Sequence, residues 1–183
     1  GSNNDSISGL VEVTGYVDRD MNATVNGFKL GQTPYEKNVL VGTQGIVCGT
    51  GDTFATTKPL IDCDIVDMES YAIAKTCMLH NIPFKSYKYI SDNANEKSPT
   101  AWLENVSKGN KLFQKELDKI AIKMHRFPKI QLEVQGHICC TPSYQKEAID
   151  KDTRKRELSV NRAKSVYKYL ISRRVNEKRL IYN

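Results

Sequence analysis

The chain has 183 residues, of which 39% are hydrophobic and 26% charged, an ordinary composition for a folded protein. No run approaches the roughly 18 consecutive apolar residues of a membrane helix, so we expect no bilayer span. Charge is uneven: residues 1–123 hold 13 Lys/Arg and 15 Asp/Glu (13 − 15 = −2), whereas residues 124–183 hold 14 and 6 (14 − 6 = +8). This asymmetry predicts two pieces joined near Met124, the second with either an anionic partner or a solvated basic face.

Cysteine usage adds a constraint. The five cysteines are Cys48, Cys63, Cys77, Cys139 and Cys140. An odd number, without a CxxC pair or histidines at ligand spacing, indicates neither a disulfide framework nor a metal site, and we expect no cofactor. The adjacent Cys139 and Cys140 fit either a redox pair or two packed strand residues. Reduced thiols favour a cytoplasmic first half.

Elements of the first half follow in chain order. Gly1-Ser2 is typical of a tag-cleavage scar, so residues 1–7 are interpreted as a lead-in. Apolar alternation and short apolar runs bounded by turn residues predict strands at 11–17, 39–48, 63–66 and 83–90. Residues 68–79 are apolar nearly all round and predict a buried helix, and helical spacing of apolar residues predicts one or two helices over 100–124. This order predicts an α/β fold with a parallel sheet covered by helices.

The pattern restarts after Met124. Residues 130–134 alternate as a half-buried strand, and the charged stretch 141–157 is expected to be part helix. Ser159 is a candidate N-cap for a helix with an apolar face at Ala163, Val166, Tyr167, Leu170 and Ile171.

Three segments of the first half carry a family resemblance. Residues 66–74 (VDMESYAIA), 89–95 (YISDNAN) and 49–54 (GTGDTF) resemble the helix-opening, catalytic-loop and purine-stacking segments of the nucleoside phosphorylase and nucleosidase superfamily. Residues 27–34 (GFKLGQTP) are similar to its methylthioadenosine/S-adenosylhomocysteine nucleosidase branch. The resemblance covers residues 8–123 and implies the C-terminal half of such an enzyme, with a partial parallel or mixed sheet.

The resemblance implies a role for each site residue. Asp92 would protonate the purine as the N-glycosidic bond breaks, which requires burial to raise its pKa. Glu69 would accept hydrogen bonds from the ribose hydroxyls, with Met68 against the sugar, and Ser91, next to Asp92, would also bind the substrate. Phe54 would stack on the purine. Taken singly, Glu69 also fits an ordinary carboxylate at a helix start, and Asp92 an Asx turn.

Other features depart from that family. Its first strands, glycine-rich loop and water-activating acid have no counterpart before residue 8, so we expect weak or no activity from the chain by itself. Asn26 stands where the branch has an aromatic residue, and Lys88 replaces an arginine. Half a parallel sheet would expose a strand edge, which predicts a homo-oligomer or a complementing chain.

Two segments of the second half resemble OmpA-like peptidoglycan-binding domains. These are residues 130–137 (IQLEVQGH) and 158–163 (LSVNRA), within a small α+β domain over 124–183 that lacks the family's last strand. The resemblance implies that Arg162 binds the peptide stem of peptidoglycan together with a loop aspartate, whose position is Cys139 here. It also implies an envelope location, whereas the first half implies the cytoplasm.

Three functions remain open. The chain is a purine nucleosidase completed elsewhere, a cell-wall binding module, or a non-catalytic assembly protein. Purine nucleosides, peptidoglycan and further copies of the chain are the expected partners, and nucleic acid is not.

Overall fold

The computed structural model describes residues 1–34, 36–138 and 147–183, which form two compact units, Gly1–Leu112 and Phe113–Asn183. The predicted α/β class is confirmed. The strands are β1 (Leu10–Val13), β2 (Gly15–Asp18), β3 (Val41–Gly42), β4 (Val47–Thr50), β5 (Ile65–Asp67), β6 (Ser86–Tyr89), β7 (Leu132–Val134) and β8 (Leu180–Tyr182). The helices are α1 (Ser70–Leu79), α2 (Ser98–Asn105), α3 (Asn110–Arg126) and α4 (Leu158–Ser172).

A four-stranded mixed sheet organises the first unit. Its order is β3-β2-β4-β5, with β2, β4 and β5 parallel and β3 antiparallel to β2. Parallel strands put their carboxyl ends on one edge, so the residues that follow β2, β4 and β5 meet there. β1 and β6 form a separate antiparallel pair.

Two predicted strands are each broken in two. The run 11–17 divides at Thr14, whose carbonyl accepts from the Thr43 N–H at 2.8 Å, so β1 and β2 join different sheets. The run 39–48 divides because the chain turns between β3 and β4, where Gly42 has φ of +92°, a conformation that favours glycine. Sequence alternation continues through both breaks, so the expectation of continuous strands was wrong.

Side chains alternate across the sheet and form two apolar clusters. On one face Tyr16, Cys48 and Ile65 pack with Tyr71 and Ala74 of α1. The opposite face carries Val17, Val47 and Val66, which pack with Ile61 and Cys63. Both faces are covered, as a largely parallel sheet requires.

The first helix is less buried than its composition predicts. α1 buries only Ser70, Tyr71 and Ala74, while Ile73 is 48% and Leu79 64% exposed. The prediction of a fully buried helix was therefore wrong on its outward side.

In the second unit, α3 and α4 supply most of the apolar core around the parallel pair β7–β8. The buried residues are Ala121, Met124, Leu170, Val175 and Leu180. Arg179 donates to the carbonyls of Met124, Phe127 and Ile130, each at 2.9 Å, and so satisfies groups left open at the end of α3.

One expectation for the second unit was wrong, and a second is tested only in part. Ser159 is not an N-cap, because α4 begins at Leu158 after Glu157 and the Ser159 hydroxyl donates instead to Glu147. Of the stretch 141–157, expected to be part helix, residues 141–146 lie outside the described residues, and 147–157 contain turns and a bridge between Ile149 and Arg156 but no helix. Among the helices of the described residues, none could cross a membrane.

Candidate functional site

Asp67 is the centre of a hydrogen-bond network at the carboxyl edge of the sheet. It ends β5, and its side chain is 8% exposed. The Thr50 hydroxyl, at the end of β4, donates to Asp67 Oδ1 at 2.6 Å, and the Ser70 N–H donates to Oδ2 at 3.1 Å. The Tyr71 N–H donates to Thr50 Oγ1 at 2.9 Å. Asp67 therefore joins two neighbouring strands to the first turn of α1.

Lys88 supplies the counter-charge. Its Nζ lies 2.5 Å from Asp67 Oδ2 and 3.8 Å from Glu69 Oε2. Burial by itself raises the pKa of the Asp67 carboxyl, but the ammonium of Lys88 and hydrogen bonds from Lys88, Ser70 and Thr50 outweigh it and hold that pKa below its ordinary value. The lysine that stands in place of the expected arginine is thus part of the site.

The two residues that the sequence predicts to contact the ribose, Met68 and Glu69, lie at the start of α1. Glu69 immediately precedes the helix, and its side chain is half-exposed and close to Lys88. Its backbone N–H donates to Asp67 Oδ1 at 3.4 Å. Met68 is half-buried beside it. A carboxylate accepts hydrogen bonds, and because the Glu69 side chain is half-exposed, hydroxyl groups of a ligand can reach it.

Asp92 is buried, at 7% exposure, three residues after β6. Its carboxylate accepts from the Ala94 N–H at 2.9 Å and from the Ser91 hydroxyl at 2.8 Å. Burial raises the pKa of Asp92, but the Ala94 N–H, the Gly1 ammonium and the Ser91 and Ser98 hydroxyls outweigh it, and the net pKa is lowered. The expectation of a raised pKa was wrong, and Asp92 is a carboxylate at neutral pH.

Residues Gly1 and Ser2 lie between β5 and Asp92. The Val66 N–H donates to the Gly1 carbonyl at 2.9 Å, and the Ser2 N–H donates to the Asp92 carbonyl at 2.8 Å. Ser2 is buried and bridges Ile65 in antiparallel fashion. The segment interpreted as a lead-in thus packs against strand β5.

Phe54 lies in a cleft of about 410 Å³ formed by the loops after β2 and β4. Phe54 is 45% exposed, so a ligand in the cleft can contact it. The cleft also presents Arg19, Asp20, Asn22 and Lys58.

The structure groups the predicted residues as Met68 with Glu69, Ser91 with Asp92, and Phe54 in the cleft. The lining of that cleft contains none of the other four. The Gly51 N–H donates to the Asp67 carbonyl at 3.1 Å, which links the cleft's loop to the start of α1.

Sequence reasoning missed Asp67 and Arg19. The signal for Asp67 was available, because a carboxylate directly before Met68 and a lysine in place of the expected arginine suggest an ion pair. Arg19 gave no signal, since its burial is decided by packing against the loop after β4.

In the second unit, Arg162 lies in the first turns of α4 and its Nη1 donates to the His137 carbonyl at 3.3 Å. Cys139 and Cys140 lie outside the described residues. Glu147, which the sequence did not single out, accepts from the Ser159 N–H at 3.2 Å. The Ser159 hydroxyl contributes most, and Arg162 further, to lowering the pKa of the Glu147 carboxyl. This surface therefore has both a carboxylate and a guanidinium.

These features define an α/β protein with polar residues gathered at the carboxyl edge of a mixed sheet. The chain belongs to the phosphorylase superfamily, whose family model matches residues 9–126. The OmpA family model matches residues 110–183. The two matches share residues 110–126, which are helix α3.

Solved structures support the same fold. A 5′-methylthioadenosine/S-adenosylhomocysteine nucleosidase from Helicobacter pylori is 23% identical with a TM-score of 0.54, covering 60% of this chain and 59% of that one. Futalosine hydrolase from the same organism is 20% identical, with a TM-score of 0.55 and coverage of 60% and 58%. A putative nucleosidase of the first kind from Francisella philomiragia is 21% identical, with a TM-score of 0.55 and coverage of 64% and 65%.

The chain thus spans about 60% of the length of the solved structures it matches. No curated protein matches it.

Proposed function

We propose that the first unit binds a purine nucleoside and cleaves its N-glycosidic bond. In this reaction water adds to the sugar carbon as the bond to the base breaks, and Asp92 transfers a proton to the leaving purine. Glu69 binds the ribose hydroxyls, Met68 contacts the sugar, Ser91 orients Asp92, and Phe54 stacks on the base. Adenine-bearing methylthioadenosine and S-adenosylhomocysteine are the substrates that the sequence resemblance implies.

The observation that carries this proposal is the network around Asp67. It fixes the loop after β4, the start of α1 and Lys88 relative to one another through contacts of 2.5–3.1 Å. Glu69 is therefore held at the sheet edge before any ligand arrives, and preorganisation of this kind lowers the cost of binding. Because Asp92 is ionised at neutral pH, we expect turnover by the chain to be slow.

Nucleoside binding tests this directly. We expect 5′-methylthioadenosine or its 6-oxo counterpart, 5′-methylthioinosine, to bind in isothermal titration calorimetry. Glu69→Gln should weaken that binding about tenfold, since a hydrogen bond to a charged group contributes roughly 1.5–3 kcal/mol. Glu96→Gln, which changes an exposed glutamate before α2, should leave it unchanged. Absence of binding by both nucleosides, or equal binding by the two variants, contradicts the proposal.

We further propose that a second copy or a complementing chain supplies the groups that activate water. Its support is the apolar surface that α1 leaves uncovered, where Ile73 is 48%, Met78 48% and Leu79 64% exposed. Sedimentation velocity with and without nucleoside tests it: self-association is expected, and a monomer at all concentrations is evidence against a second copy.

Peptidoglycan binding by the second unit is a second candidate function. Its support is the OmpA family match together with Glu147 and Arg162 on one surface, a pair suited to a zwitterionic amino-acid head group. Arg162→Ala should reduce co-sedimentation with purified peptidoglycan, whereas Lys164→Ala, two residues further along α4 and therefore on another side of the helix, should not. Equal retention of the two variants contradicts this role.

A further inference from the structure

Arg19 is a buried cation in the wall of the Phe54 cleft. It follows directly after β2, and its side chain is 8% exposed. Its Nη1 donates to Asp20 Oδ1 at 3.0 Å, and its Nη2 donates to the Thr53 carbonyl. Its Nε is buried without a hydrogen-bond partner among the described residues. Nη1 and Nη2 each carry a second N–H beyond these two contacts, so the guanidinium has donors left for a ligand in the cleft.

A glycine makes room for this arrangement. A Cβ on Gly51 would lie 2.6 Å from Arg19 Cζ and 2.5 Å from Asp20 Oδ2, well inside any allowed contact. The Asp52 N–H donates to Asp20 Oδ2 at 2.7 Å. Arg19 and Asp20 therefore pack side by side against the loop that leads to Phe54. There is room for them because residue 51 is a glycine and has no side chain.

The lining of the cleft combines two cations, Arg19 and Lys58, with one carboxylate, Asp20. The two carboxylate oxygens of Asp20 already accept from Arg19 and from the Asp52 N–H. Lys58 adds a second cation to the lining. A guanidinium and an ammonium only donate hydrogen bonds, so the ligand that complements this wall must carry acceptors.

We propose that Arg19 determines which purine the cleft accepts, favouring a 6-oxopurine over adenine. A carbonyl oxygen at C6 accepts a hydrogen bond from the guanidinium, whereas the amino group at C6 of adenine directs N–H groups toward it. Arginine pairs with the O6 edge of a purine for the same reason in nucleic-acid recognition. This inference rests on the proposed function and names the base that Phe54 stacks on.

The test is direct binding of the free bases, which needs no catalysis. Hypoxanthine and adenine differ at C6, and equilibrium dialysis gives the dissociation constant of each. We expect the wild-type chain to bind hypoxanthine about tenfold more tightly. Arg19→Ala should reduce that ratio to near one, and Lys37→Ala, at an exposed lysine outside the cleft lining, should leave it unchanged.

A second variant tests whether the loss of preference in Arg19→Ala comes from misfolding. Gly51→Ala keeps Arg19 but displaces it, so this variant should also lose the preference while its circular dichroism stays that of the wild type.

The outcomes are distinguishable. Equal or tighter binding of adenine by the wild type, or a preference that survives in Arg19→Ala, overturns the inference and leaves the proposed function standing. Failure of both bases to bind overturns the purine site itself, and the inference with it. If Lys58→Ala loses the preference while Arg19→Ala keeps it, the selectivity belongs to Lys58 and the inference is overturned.

Discussion

The ammonium of Lys88 lies 2.5 Å from the carboxylate of Asp67, and both groups are largely withdrawn from solvent. One comes from β6 and the other ends β5, so the ion pair joins the two-stranded and four-stranded sheets of the first unit. The same lysine lies 3.8 Å from Glu69. The ion pair therefore both stabilises the first unit and holds Lys88 close to Glu69 in the candidate site.

Asp67→Asn should destabilise the first unit by about 2–3 kcal/mol, because it removes the acceptor of several charge-assisted hydrogen bonds. Trp102, the single tryptophan, lies in α2 and reports on this unit in urea titrations. Asp5→Asn, at an exposed site, is the matched control and should change little.

The same carboxylate predicts a pH dependence. Its folded pKa is below the ordinary value of 3.8, so its stabilising contribution is fully present above that value and is lost as the pH falls through the folded pKa. The difference between the wild type and Asp67→Asn should therefore shrink in acid. A difference that grows on acidification contradicts the ion pair.

The rate of base release should increase as the pH falls. The pKa of Asp92 lies below 3.8, so at pH 5–7 only a small fraction is protonated, and that fraction rises about tenfold for each unit of pH decrease. Release measured over this range should rise accordingly while the chain stays folded. A rate that instead increases with pH would contradict the role of Asp92 as the acid that protonates the purine.

Gly136→Ala should destabilise the second unit by about 1–3 kcal/mol, as overpacking does. A Cβ at this position would collide with the backbone carbonyl of Ser159, in the first turn of α4. Hydrogen exchange of peptides from α4, followed by mass spectrometry, should show faster exchange than in the wild type. Gln135→Ala, at the neighbouring exposed position, serves as the control and should exchange like the wild type.

Cys48, Cys63 and Cys77 should differ in how fast their thiols react. Burial raises the pKa of Cys48 and of Cys63, so neither presents a thiolate at neutral pH. Cys77 is half-buried on α1 and should be alkylated first. Peptide mapping after brief alkylation measures each site separately, and early labelling of Cys48 would show that the sheet opens readily.

Local patterns predicted the parts of the site that are contiguous in sequence. The junction of β5 with α1 and the position of Asp92 after β6 follow from short apolar runs that end in polar residues. The partition of strands between two sheets could not be predicted, because Thr14 interrupts an alternation that itself continues. Pairing between β1 and β6 is a contact between residues about 75 positions apart, which alternation does not encode.

Side-chain partners were the least predictable feature. Ser159 has the residue type of an N-cap, yet a carboxylate from Glu147, twelve positions earlier, takes its hydroxyl. Arg19 resembles a surface residue in sequence, and its burial depends on the absence of a side chain at Gly51. Such effects come from distant backbone approaches, which residue types by themselves do not specify.

The most direct test of the proposed cleavage is base release from 5′-methylthioadenosine and 5′-methylthioinosine, followed chromatographically near pH 5.5. We expect slow release of adenine or hypoxanthine by the wild-type chain and none by Asp92→Asn. Release that is undiminished in Asp92→Asn, or no release of either base by a chain that binds the nucleosides, would contradict it.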